Sequence, residues 1–202
     1  MALWLAADPL VLASRSSARR ALLEAAGVPL EPRPADLDER GLEGEAASTA
    51  PAAVAAFLAR NKAAAVAAAC RGRLVLGADQ VLALGTTRFS KPADCTAARA
   101  QLLALCGRTH ELHTAIAFIQ DETILFEYVD TARLTMRSFS EHFLDLYLAR
   151  ASAGGTTSVG AYQLEGLGIQ LFERVDGDYF TILGLPLVQA LGFLRRYGCL
   201  AA

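Results

Sequence analysis

Two unbroken apolar runs organise the chain. Leu10-Val11-Leu12-Ala13 and Leu74-Val75-Leu76-Gly77-Ala78 lack alternating polar residues, which is the pattern of strands covered on both faces. The second run stops on Asp79 and predicts a carboxylate where a strand runs out, facing the crevice in which open α/β sheets bind ligands. Between the runs, the spacing predicts a helix over 19–26 ended by Gly27 and Pro29, and a Pro-punctuated extended stretch over 30–38. A polar loop over 41–49 and an Ala-rich helix over 52–70 complete this half. Beyond Val81, Pro92 is placed as an early helical residue, with a helix continuing over 97–105 and closed by Gly107. Residues 115–119 and 124–136 read as strands. Ser140-Glu141 opens an amphipathic helix presenting Phe143, Leu144, Tyr147 and Leu148, ended by Gly154-Gly155. Residues 167–172 and 179–183 are further strand candidates, and a last helix over 186–196 stops at Gly198. Helices alternating with strands, and two consecutive strands between Ala115 and Met136, predict an α/β fold whose mixed twisted sheet is flanked by helices. Residues 1–202 read as one domain without internal repeats.

Charge and composition narrow the function. A net charge of -2 argues against a face that grips polymeric nucleic acid through its phosphates. The four cysteines show neither C-x-x-C nor zinc spacing, so they read as reduced thiols of a cytoplasmic protein. The apolar start lacks a basic segment and is interrupted by Asp8-Pro9, unlike an export signal. Arg60, Asn61 and Lys62 sit in the middle of the Ala-rich helix, which excludes it as a membrane span.

A small anion fits the remaining polar residues. Ser14, Ser16 and Ser17 precede a helix start carrying Arg19 and Arg20, and a helix N-terminus with guanidinium forks receives phosphate well. Lys62 and Lys91 add point charges suited to a phosphate that must be released. Asp79 with Glu39, and Asp38 beside it, could hold Mg²⁺ or Mn²⁺ together with phosphate oxygens. Each group also has a plainer role: the serines as helix caps, the arginines and lysines as solvated helix faces, and the loop acids as solvation. His110 and His113 fall on a strand and face opposite sides, which does not suit a zinc site. Tyr162, Gln163 and Glu165, in a Gly-rich loop, could stack on or hydrogen-bond a base, or be ordinary turn residues.

Taken together, Leu12-Ala13-Ser14 through Arg19-Arg20, Asp38-Glu39, Ala59-Arg60-Asn61-Lys62-Ala63, Gly77-Ala78-Asp79-Gln80-Val81 and Lys91-Pro92 recur in order. They are followed by Gly160-Ala161-Tyr162, Glu165-Gly166-Leu167-Gly168 and Gly184-Leu185-Pro186-Leu187. This set resembles the Maf (septum formation inhibitor) nucleotide pyrophosphatases over nearly the whole chain. The resemblance implies an elongated, two-lobed architecture similar to inosine triphosphate pyrophosphatases. It also implies cleavage of nucleoside triphosphates to monophosphate and pyrophosphate with a divalent metal. Asp79 would be the catalytic acid, with Ser14, Arg19, Arg20, Lys62, Lys91, Gln80 and Glu165 on the substrate, and Glu39 and Asp79 on the metal. Gln80 and 165–174 resemble the branch acting on 7-methyl-GTP. Ala18 stands where that branch tends to carry an aromatic, and Gly177-Asp178-Tyr179 is closer to the dTTP/UTP branch. A homodimer is compatible with this picture. The competing reading is a nucleotide-binding regulator of cell division that acts through a protein partner without turnover.

Overall fold

Strand β1 (Leu10–Leu12) is buried at every residue because Leu10 and Leu12 face one core while Val11 faces the other. That explains why its sequence shows no alternation. The computed structural model describes residues 3–39, 41–42, 46, 48–151 and 158–202. β1 leads into helix α1 (Ser17–Ala25) and returns to β2 (Leu30–Pro32), which pairs with β1 in parallel. Helix α2 (Pro51–Ala67) then crosses to β3 (Leu74–Leu84), parallel to β1 on its other side. From β3 onward the sheet is antiparallel, through β4 (Thr87–Phe89), β5 (Thr109–Gln120), β6 (Thr123–Met136) and β7 (Phe172–Asp176). The order β2-β1-β3-β5-β6-β7, with β4 on β3, makes the seven-stranded mixed sheet expected from the sequence.

The long strands β3, β5 and β6 pass through both halves of the molecule. In one half, α2 covers one face, packing Val54, Leu58 and Ala63 on Val75, Ala115 and Ala117. The C-terminal helix α6 (Leu187–Arg196) covers the other, packing Phe193 and Leu194 on Leu76 and Phe118. In the other half, helices α3 (Cys95–Leu105) and α4 (Glu141–Ala151) close a third cluster around Leu82, Leu102, Leu112 and Leu134. The short helix α5 (Tyr179–Ile182) sits near the junction.

Several expectations are corrected. Asp79 does not end its strand. β3 continues to Leu84, because residues 80–83 remain paired with β5 and Leu82 to Leu84 also pair with β4. What runs out is β1, whose last partner on β3 is Leu76. Residues 77–81 of β3 therefore border a gap between β1 and β4, and the gap supplies the crevice. β4 itself was unanticipated, being three residues long after the left-handed Gly85. Only 30–32 of the extended stretch is strand, and Pro92 precedes its helix, which Asp94 caps at Ala97 N–H (2.8 Å).

Residues 167–171 form a 3₁₀ turn rather than a strand, since Gly168 lies against the Gln163 main chain and leaves Leu167 and Ile169 exposed. Residues 179–182 are helical because the Asp178 carboxylate caps Thr181 N–H (2.8 Å), overriding the strand preference of Tyr-Phe-Thr-Ile. Gly154-Gly155, and residues 43–45 and 47 of the predicted loop, lie outside the described residues.

Candidate active site

A cavity of about 690 Å³ opens where β1 gives out beside β3. Its walls come from the β1–α1 turn, the segment after β2, α2, β3, β4 and the loops around 162–165 and 182–184. Sequence-distant groups thus meet at the junction of the two halves.

Asp79 and Lys62 lie at its centre. Lys62 Nζ donates to Asp79 Oδ1 at 2.6 Å and is 2.9 Å from Glu39 Oε1. The two side chains of the inner pair are 11% and 9% exposed, whereas that of Glu39 is 54% exposed. This approach depends on small residues. A Cβ on Gly77 would collide with the Ala59 carbonyl oxygen and come within 2.7 Å of Ala63 N, so α2 can lie directly on β3 only because position 77 is glycine. The Ala-rich face of α2 thus delivers a helical lysine to a buried carboxylate. Burial pushes the Asp79 carboxyl above the ordinary carboxylate range, against the pull of Lys62 and Arg19.

Arg19 forms the opposite wall. Its Nε donates to Gly184 O (2.7 Å) and its Nη1 to Ala78 O (2.8 Å) and Ser14 Oγ (3.1 Å). Burial lowers its pKa, opposed by Asp79 and Glu39, yet a guanidinium starts far enough above neutrality to stay charged. Ser16 is the cap of α1, its Oγ accepting from Arg19 N–H at 3.3 Å, and Ser14 Oγ accepts from Ser16 N–H at 3.2 Å. The N-terminal turn of α1 therefore borders the cavity with Ser17 and Ala18.

The remaining candidates divide. Lys91 and Glu165 line the cavity and are exposed. Gln80 also lines it, but its Nε2 donates to Thr114 Oγ1 (2.9 Å), Thr181 O (3.0 Å) and Ile182 O (3.1 Å), so its amide nitrogen is spent on the protein. Arg20 is not brought in. One residue further round α1, its Nε pairs with Glu24 at 2.7 Å on the exposed face. Tyr162 and Gln163 also border the cavity, but Tyr162 is largely buried, its hydroxyl bonding His110 Nε2 (2.8 Å) and its ring packing edge-on against Phe172. His113 faces the other side of β5, bonded to Thr131 Oγ1 (3.0 Å).

Arg15, part of the Ser/Arg segment, and Asp36, one of the loop acids, also line the wall, whereas sequence reasoning missed Arg88 and Phe89. For the last two, Gly85 after an apolar strand was the available hairpin signal.

Among the described residues, no group of three or more His, Cys, Asp or Glu side chains could hold a metal unaided. Glu39 and Asp79 converge on one ammonium with hard oxygen donors. Two carboxylates are donors of the kind that hold Mg²⁺ or Mn²⁺ when other oxygens complete the shell.

The mixed α/β sheet thus carries, at the gap where β1 gives out beside β3, a cavity lined by both carboxylates and cations. A sequence model of the Maf-like protein family matches residues 9–197, and the chain belongs to that family. Among curated relatives, the nucleoside triphosphate pyrophosphatases of Rhodopseudomonas palustris strains BisB18 and CGA009 are 52% and 53% identical over 201 residues, covering 100% of both chains. The 7-methyl-GTP pyrophosphatase of Rhizobium meliloti is 49% identical over 195 residues, covering 96% of this chain and 98% of its own. Among the described residues, no helix is long and apolar enough to cross a membrane.

Proposed function

We propose that this chain hydrolyses nucleoside triphosphates between the α and β phosphates, releasing a nucleoside monophosphate and pyrophosphate. The carrying observation is Asp79, buried between Lys62 and the neighbourhood of Arg19 in a cavity large enough for a nucleotide. The phosphates would occupy the wall formed by Ser14, the start of α1, Arg19, Lys62 and Lys91. Water attacks the α phosphorus as its proton passes to the Asp79 carboxylate, which burial makes a better base. The bond from the α phosphorus to the bridging oxygen breaks, and that oxygen leaves on pyrophosphate. Arg19 and Lys62 stabilise the charge that develops on the departing group. Glu39 and Asp79 would hold the divalent cation, which when bound neutralises phosphate charge.

The full-length similarity to the relative named for 7-methyl-GTP supports a modified purine among the substrates. Ala18 offers no ring in this wall, but Phe89 lines the cavity and could stack on a base, and a cationic base would also favour the Glu165 carboxylate. Four free thiols fit a reducing, cytoplasmic setting.

The test is a screen of standard and methylated nucleotides with pyrophosphate and orthophosphate measured separately. Pyrophosphate release in the presence of Mg²⁺ or Mn²⁺ is expected, and Asp79→Asn should lower kcat by about 10²-fold or more with an unchanged circular dichroism spectrum. Orthophosphate alone, or full activity in the variant, overturns the reading.

A further inference from the structure

We infer that Lys62 is a resident cation that occupies the Asp79–Glu39 pair in the free protein, so that a divalent metal loads with the triphosphate rather than ahead of it. The inference rests on the reading of this pair as the metal ligands and adds an order of binding.

The observation is that one ammonium contacts both carboxylates, at 2.6 Å and 2.9 Å, and that the inner contact is almost closed to solvent. Bulk salt screens such a pair weakly. Local charge is already balanced, with Lys62 and Arg19 set against Asp79 and Glu39. A bare divalent cation must either add two positive charges to a balanced, partly dehydrated site or expel the ammonium from both partners. A triphosphate changes that balance, because its oxygens give Lys62 and the metal a partner each.

The neighbouring groups single out Lys62 as the one that exchanges. Arg19 is fixed by Gly184 O, Ala78 O and Ser14 Oγ. Arg60 is engaged by Glu127 through both Nε (2.7 Å) and Nη2 (3.0 Å), and Asn61 donates to Phe57 O (2.8 Å). The α2 backbone at Ala59 and Ala63 is seated on Gly77, so the helix cannot carry Lys62 away. What can move is its flexible stem, which ends in a point charge with freely rotating donors. Lys62 can therefore swing from the carboxylates to a phosphate without rearranging the fold.

The experiment titrates Mn²⁺ into the full chain, followed by electron paramagnetic resonance of the free ion. Wild type, Lys62→Gln and Lys62→Arg are compared without nucleotide, and wild type also with an α,β-methylene triphosphate that cannot be cleaved. Lys62→Gln should bind Mn²⁺ roughly tenfold more tightly than wild type, Lys62→Arg should stay close to wild type, and the analogue should tighten wild-type binding by roughly tenfold. Tight Mn²⁺ binding by nucleotide-free wild type, with Lys62→Gln no tighter, overturns the order of binding but leaves the metal site standing. Absence of Mn²⁺ binding with and without the analogue overturns both. If Lys62→Gln does not fold, the native protein decides: an analogue that fails to tighten Mn²⁺ binding sinks the proposal.

Discussion

Arg19 and Gly184, 165 residues apart, are joined by a 2.7 Å bond from the guanidinium Nε to the main-chain oxygen. Gly184 has φ +99°, so glycine serves the turn, while a Cβ there would meet that Nε only at an ordinary contact distance of 3.4 Å. Arg19 also holds Ala78 O, next to Asp79. Arg19→Lys cannot span these acceptors and should lower kcat/KM by about tenfold to a hundredfold, the worth of a charged hydrogen bond. Arg20→Ala should retain near wild-type kcat/KM and cost at most about 0.5 kcal/mol of stability, since it removes only an exposed i,i+4 pair. Steady-state kinetics on the two variants compares adjacent arginines on one helix.

Thr181 holds the turn that aims Arg19. Its hydroxyl donates to Asp130 Oδ2 (2.7 Å), and its carbonyl accepts from Thr114, Gln80 and Gly184. Thr181→Val keeps the shape but leaves Asp130 short of a donor, at a cost of about 1–3 kcal/mol. KM should rise more than kcat falls, because a loosened Arg19 weakens substrate and transition state alike. Thr181→Ser should restore KM, and an unchanged KM in the valine variant would contradict this role for the turn.

Gly77→Ala tests the seat of α2. The added methyl would meet Ala59 O and Ala63 across the helix–strand contact, a strain of about 1–3 kcal/mol or more. A lower urea midpoint is expected, together with reduced activity as Lys62 is carried away from Asp79.

Burial holds the His110 imidazole down to about 4, against about 6.5 in an unfolded chain. Between those values the unfolded state takes a proton that the folded state refuses, so stability falls with pH. It is fully present above about pH 6.5 and lost on descent toward about 4, amounting to about 3 kcal/mol. His113, also lowered by burial, acts in the same direction. Urea unfolding across this range should show the fall. His110→Gln, which can still bond the Tyr162 hydroxyl, should flatten it.

Much of this was readable in one dimension. Unbroken apolar runs mark β1 and β3 because both faces of these strands are covered, and the Ala-rich pattern of 52–70 marks the helix observed over 51–67. Asp79 was the first candidate for chemistry, Lys62 and Glu39 were candidates that solvation explained as well, and the structure brings the three together. Strand patterns misled where a short-range contact overrides them. An alternation such as Leu167, Ile169 and Leu171 looks like a strand until Gly168 is pressed against Gln163, and the cap at Asp178 turns a strand-prone segment into helix.

The amino-acid order alone marked the long strands and the main helices, their apolar faces and the unusual charged groups, since propensity, periodicity and capping act over a few residues. Only the tertiary structure decided that Asp79 sits within a strand beside a gap left by β1, that Arg19 turns inward while Arg20 turns out, and that Gln80 spends its amide on Thr181 and Ile182. Those outcomes depend on register, helix phase and contacts across more than a hundred residues, and no local pattern records them.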